Sequence, residues 1–301
     1  MRYLIVLLAV CAISCEVVVD VDIPLKPPSI TVHSTINPDS TFHVQLTASQ
    51  NILSNNQFSI IPEATVNIYD GEVLVETLVQ NSEDGYQGTL KPVKGHTYTI
   101  EASKTNYKTV TATDVVPSQN VKLNKVIFAK NANDEYNQQQ YSMTIEFDDP
   151  KGENYYEIGL YGPELYYERD EDTGEYVVVD TVMVQYPIDS EDGIFTVEQY
   201  YSDRFWTFSD DVVDGKTVKI NFNTYIYPFW NEAVDEVEVL VALREISYSM
   251  FKYKQTANLQ RSLDGDPFAE PVPVYNNVKN GYGIFGAYQQ TTSTVTVRKA
   301  E

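Results

Sequence analysis

Three glycines near the C-terminus, Gly281, Gly283 and Gly286, stand in the spacing G-x-G-x-x-G within NNVKNGYGIFGAYQQ. In a turn from strand to helix, that spacing lets backbone amides cradle the pyrophosphate of a dinucleotide. An acid about twenty residues further on then holds the ribose. The neighbourhood argues against this chemistry. PVPVYNNVKNG precedes the glycines, and QQTTSTVTVRK follows them. The second run is β-branched and alternating, so it predicts a strand where a helix is required. The expectation is therefore structural. The glycines permit a positive φ or a close backbone approach, Ile284 and Phe285 plug into a core, and Ser293 to Val297 add a strand. The stretch is expected to hold the end of the chain against a second domain.

The other residues capable of chemistry are sparse or too numerous to point anywhere. His33, His43 and His96 are the only histidines. His33 and His43 fall on opposite arms of a predicted hairpin, but a zinc site wants three or four ligands. The chain after His96 has no histidine, which excludes a Ser-His-Asp arrangement built there alone, and no G-x-S-x-G elbow occurs. With 43 carboxylates, some pair always stands at glycosidase spacing, so none is nominated. DEDTGE, residues 170–175, has Asp170, Asp172 and Gly174 as in the start of a calcium loop. It lacks the closing glutamate and sits at an expected hairpin tip, so calcium there stays open. No catalytic residue, cofactor-binding residue or metal set is assigned, and the protein is expected not to be an enzyme.

The N-terminus bears on place. MRYLIVLLAVCAISC opens with Arg2, continues with a short apolar core from Leu4 to Val10, and ends with small residues before Cys15. This is the pattern of a lipoprotein signal peptide, with an ordinary secretory signal as the alternative. Residues 1–14 are then removed and Cys15 carries the lipid. Cys11 and Cys15 are the only cysteines, so the processed chain is expected to have no disulfide and no thiolate chemistry. The net charge of −22 comes without any basic cluster, which makes nucleic acid a poor partner. It also repels anionic headgroups.

These residues must be positioned by strands. Residues 15–28 read as a lipidated tether running into a Pro-rich stretch. From Ser29 the apolar period is two. SITVHSTI and FHVQLTAS flank the turn-forming NPDS, and Asp70-Gly71 sits between alternating runs as a tight-hairpin signal. Seven short runs, ending near Pro117, predict an immunoglobulin-like β-sandwich over 29–117. Residues 118–301 predict a larger Tyr-rich β domain, a sandwich or a partly closed barrel. One helix interrupts it, at 247–263, with Ser247 as cap and Ile246, Met250, Tyr253 and Ala257 on one face. Eighteen of the 23 tyrosines lie from Tyr136 onward, with Trp206 and Trp230. Doublets such as Tyr155-Tyr156, Tyr166-Tyr167 and Tyr200-Tyr201 place one ring on each face of a strand. Such rings serve cross-strand packing or a binding surface for protein or sugar.

PFAEPVPVYNNVKNGYGIFGAY resembles the closing motif of a family of Bacteroidota outer-membrane lipoproteins known as domain of unknown function 4249. CEVVVDVDIP, INPDS, ATVNIYDGEVLVETL, YKTVTATDVVPS, FDDPKGENYYEIGLY, FSDDVVDGKTVKI and LREISYSMFKYKQT are similar to its other elements, in order. The resemblance implies a lipid-anchored outer-membrane protein, with the cell surface favoured over the periplasmic face. Its implied partner is an outer-membrane β-barrel, a TonB-dependent transporter. It implies no reaction and no catalytic residues. The expected function is that of a non-enzymatic accessory or binding subunit. The alternative is a surface glycan- or peptide-binding lipoprotein acting alone. A carboxylate-based hydrolase has no specific feature in its favour.

Overall fold

The computed structural model describes residues 27–51, 58–81, 85–119, 121–133, 139–169, 174, 176–195, 205–230, 234–263 and 269–299. The expected signal peptide at 1–14, Cys15, nearly all of the expected tether, the tyrosines at 200 and 201, and all of the 170–175 segment except Gly174 lie outside the described residues.

Alternation produces strands along the first part of the chain. β1 (Ile30–Ile36) and β2 (His43–Ala48) pair antiparallel. Between them Asn37 Oδ1 accepts the N–H groups of Asp39 and Ser40 at 2.9 and 3.2 Å, the side-chain-closed turn expected of NPDS. β3 (Thr65–Asp70) and β4 (Val73–Thr77) form the Asp70-Gly71 hairpin, with Gly71 at φ +58°. β5 (Val79–Asn81), β6 (Gly85–Gln87), β7 (Thr97–Ser103) and β8 (Val110–Val115) follow. The second part supplies β9 (Leu123–Asn133), β10 (Gln139–Asp148), β11 (Tyr155–Arg169), β12 (Tyr176–Tyr186), β13 (Ile188–Asp189), β14 (Trp206–Ser209), β15 (Thr217–Thr224) and β16 (Glu236–Ile246). The helix α1 (Tyr248–Ser262) and the long β17 (Tyr282–Arg298) end it.

These strands make three open sheets, and no barrel closes among the described residues. A nine-stranded sheet runs β12-β11-β16-β17-β1-β2-β6-β5, with β14 also on β11. Two four-stranded sheets, β4-β3-β7-β8 and β13-β15-β10-β9, complete the molecule. Each packs on a different part of the long sheet, so two sandwiches stand side by side. The first core joins Val32, Val44 and Leu46 to Val66, Ile68 and Ile100. The second joins Ile158, Leu160, Val239 and Val241 to Met143, Ile145, Ile220 and Phe222. The first core takes buried apolar residues up to Val116 and the second those from Val121 to Leu243, but Val278, Phe285 and Ala287 return to the first.

β17 belongs to both. Its first residues run parallel to β1, from Thr31↔Tyr282 to Ile36↔Ala287. Its later residues run antiparallel to β16, from Ile246↔Tyr288 to Glu236↔Arg298. Phe285 and Ala287 therefore enter the first core and Val297 the second. The expectation that NGYGIFGAY packs on the second domain holds for one face only: Gly286 lies against Met250 of the helix that follows β16, whereas Phe285 and Ala287 fill the first core. The period of two was legible, but the neighbour across the strand was not.

α1 lies on the opposite face of the long sheet. Ser247 Oγ caps it by accepting Met250 N–H at 3.2 Å. Its buried residues are Ser249, Met250, Phe251 and Asn258, so of the predicted face Met250 is buried while Tyr253 and Ala257 stand to the side, half-buried. Phe251 stacks on Tyr155 with centroids 4.6 Å apart, while the next residue, Tyr156, is fully buried in the second core. The tyrosine doublet thus places one ring on each face, as strand alternation requires. Below the helix, the fully buried Glu157 pairs with Lys254 of α1 and lies 3.6 Å from Arg244 Nη1 of β16.

Candidate functional site

The glycine motif leaves no room for a ligand. Gly283 adopts φ +105° beside Val32, and a Cβ placed on it would lie inside the Val32 carbonyl oxygen. A Cβ on Gly281 would meet the Ile30 carbonyl in the same way. Gly286, on the other face, lets Met250 Cβ of α1 approach to 3.2 Å of where its own Cβ would stand. Phe285 is fully buried between them in sequence. Asn277 clasps its backbone, donating Nδ2 to Phe285 O at 2.8 Å and accepting Phe285 N–H at 3.1 Å. Backbone, helix and core occupy the positions where a pyrophosphate would need open amides.

The histidines do not gather. The β1–β2 register puts His33 opposite Gln45, not His43, and both side chains are exposed. His96 Nδ1 sits 2.7 Å from Asp70 Oδ2 at the surface.

A different cluster does form, at one end of the second sandwich. The loop from β10 to β11 carries Asp149 and Asn154, and the loop from β14 to β15 carries Asp210 and Asp214. One carboxylate oxygen from each of Asp149, Asp210 and Asp214 lies within 4.8 Å of the other two. The loops clasp each other to bring this about. Gly215 N–H donates to Asp149 Oδ2 at 2.8 Å, Gly152 N–H donates to Asp214 Oδ1 at 2.9 Å, and Asp210 N–H donates to Asn154 O at 3.1 Å. Tyr156 from β11 donates its hydroxyl to Asp149 Oδ1 at 2.5 Å. Asp149 and Asp210 are buried and Asp214 is exposed. Burial pushes both buried carboxyls above the usual range, against the hydrogen bonds that lower them. Such an oxygen-only group is the donor chemistry of a hard divalent cation.

A polar seam lies between the sandwiches. Ser247 Oγ donates to Asp114 Oδ2 of β8 at 2.5 Å and accepts Ala287 N–H at 3.2 Å. Next to it Gln289 Nε2 donates to Glu245 Oε2 at 2.6 Å. Burial raises Asp114 to about 6 despite its hydrogen bonds from Ser247. It raises Glu245 to about 7 despite Gln289 and the charge of Lys94.

An exposed surface lies on the β11–β12 hairpin at the end of the long sheet. β11 pairs with β16 only from Tyr156 to Tyr161, while its pairing with β12 continues to Arg169↔Tyr176. Among the described residues, the hairpin beyond Gly162 pairs with no third strand. Tyr176 to Met183 are all exposed, including Val177, Val178, Val179, Val182 and Met183. Apolar side chains are exposed on both faces of this edge strand, and Met183 reaches 56 % exposure.

FDDPKGEN and SDDVVDGK stand about sixty residues apart in the sequence, and nothing local joins them. Each has the signal of acids beside a turn glycine. With so many carboxylates, only the fold shows which ones meet. The hairpin was predicted, but the exposure of apolar side chains on both faces of β12 was not.

No helix among the described residues is long and apolar enough to cross a membrane. No curated protein matches the chain. One protein family, described as Domain of unknown function (DUF4249), matches residues 16–294, and the chain belongs to that family.

Proposed function

We propose that the protein is a non-catalytic lipoprotein of a Bacteroidota outer membrane, anchored through Cys15, that docks on an outer-membrane β-barrel protein of the TonB-dependent transporter class. The observation that carries this reading is the projecting β11–β12 hairpin. Two strands alone are marginal in water, and an edge strand with apolar residues on both faces is a site for pairing with another chain. Apolar patches of this kind mark partner surfaces. An acidic chain without a basic cluster is suited to a protein partner rather than to anionic headgroups. The signal sequence before Cys15 supports attachment by lipid.

A second reading, a surface lipoprotein that binds peptide by itself, draws on the same free edge, because an extended peptide adds to such a strand through main-chain hydrogen bonds. Affinity purification of the full-length chain from native outer membranes separates them. Stoichiometric recovery of a barrel protein, lost on Val178→Lys with Met183→Lys, supports the first. Recovery of the chain alone overturns it and favours the second.

A further inference from the structure

We propose that Asp149, Asp210 and Asp214 bind a calcium ion that ties the β10–β11 loop to the β14–β15 loop. Oxygens that share one calcium at about 2.3–2.6 Å lie at most about 5 Å apart, and the three carboxylate oxygens lie within 4.8 Å of one another. Geometry alone does not make an acidic cluster a site, but two buried oxygens lack the partners that burial demands. Asp210 Oδ2 accepts no hydrogen bond, although Asp210 is only 3 % exposed and its carboxylate is a member of the cluster. Asn154 Oδ1 is likewise buried and unpartnered, on the residue whose carbonyl receives the Asp210 N–H. Buried polar atoms in native proteins are satisfied in the great majority of cases, and an exception points to an ion or water.

The charge balance agrees. Among the described residues, no lysine, arginine or histidine makes an ion pair with any of the three aspartates. Three like charges drawn together by clasped loops require a compensating cation or a proton. Carboxylate and amide oxygens without nitrogen or sulfur favour calcium over zinc. Magnesium prefers one or two carboxylates with several retained waters, whereas calcium accepts six to eight oxygens in flexible geometry. The exposed Asp214 provides the way in.

The test uses the full-length chain in detergent, stripped with chelator and titrated with calcium chloride by calorimetry and by thermal melting. One saturable site is expected, in the range of about 10⁻⁴ to 10⁻³ M found in extracellular modules. Terbium ions should report the same site by luminescence excited through Tyr156, whose hydroxyl contacts Asp149. Asp210→Asn and Asp214→Asn should each weaken binding at least about tenfold. Asp214 is exposed, so its variant keeps the core and reads the site even if the Asp210 variant fails to fold. The proposal is overturned by no saturable binding up to roughly 10 mM calcium. It is equally overturned by undiminished binding in Asp214→Asn.

Discussion

Gly283 and Val32 meet through backbone alone. They are register partners in the parallel β1–β17 pair, and the carbonyl of Val32 occupies the place of a Gly283 side chain. This contact joins residues from opposite ends of the chain and makes β17 the wall common to both sandwiches.

Substituting Gly283 therefore combines a forbidden φ with a steric overlap. Gly283→Ala is expected to cost more than about 1 kcal/mol, and Phe285→Ala about 3 to 5 kcal/mol. Urea unfolding of the two variants checks both figures. Native stability in Gly283→Ala would mean that the two strands do not run this close.

A fragment spanning 27–119 should not fold. It lacks Val278, Phe285 and Ala287 from its core, and β1 loses one of its two neighbours. Circular dichroism should show no cooperative melt. A transition at the temperature of the intact chain would show that the first sandwich is self-sufficient.

Stability should fall as pH rises through the seam's titration. Asp114 binds its proton more tightly folded, at about 6 against 3.8, and Glu245 does so at about 7 against 4.5. Their contribution is complete below about pH 4, and is lost progressively between roughly pH 4 and 7 as the folded groups ionise. The Asp114 rise corresponds to on the order of 3 kcal/mol. Asp114→Asn should flatten the pH dependence of the melting temperature over that window. An unchanged slope would place the proton elsewhere.

Glu157 holds two cations beneath α1, Lys254 and Arg244. Glu157→Gln removes the carboxylate from two half-buried cations, at an expected cost of up to about 3 kcal/mol. Adding Lys254→Met should recover part of that loss, giving a double variant more stable than the sum of the single ones predicts. Strict additivity in a denaturant cycle would exclude the coupling.

Cys15→Ala should abolish incorporation of labelled fatty acid and release the protein from the outer-membrane fraction. Continued labelling of that variant would show that the lipid is carried elsewhere.

The sequence by itself determined most of the strands and the local turns, but not β9, β13 or β14, which no clear period of two marks. Period two marked β1, β2 and the later runs. Asp70-Gly71 announced its hairpin, and Ser247 announced the start of α1, since a cap and a tight turn depend on residues a few positions apart. It also indicated that Phe285 is buried and that the glycines make way for backbone. Only the tertiary structure decided who faces whom. Alternation says that Phe285 and Ala287 share a face, but not that this face closes the first core, because β17 finds β1 about 250 residues away. The same holds for Asp149 and Asp210, whose loops are separated by four strands in the chain, and for β12, which is left exposed from Tyr176 to Met183. Such pairings are chosen by the burial and hydrogen bonds they complete, while the entropy of closing the intervening loop grows only with the logarithm of its length, so local sequence carries little trace of them.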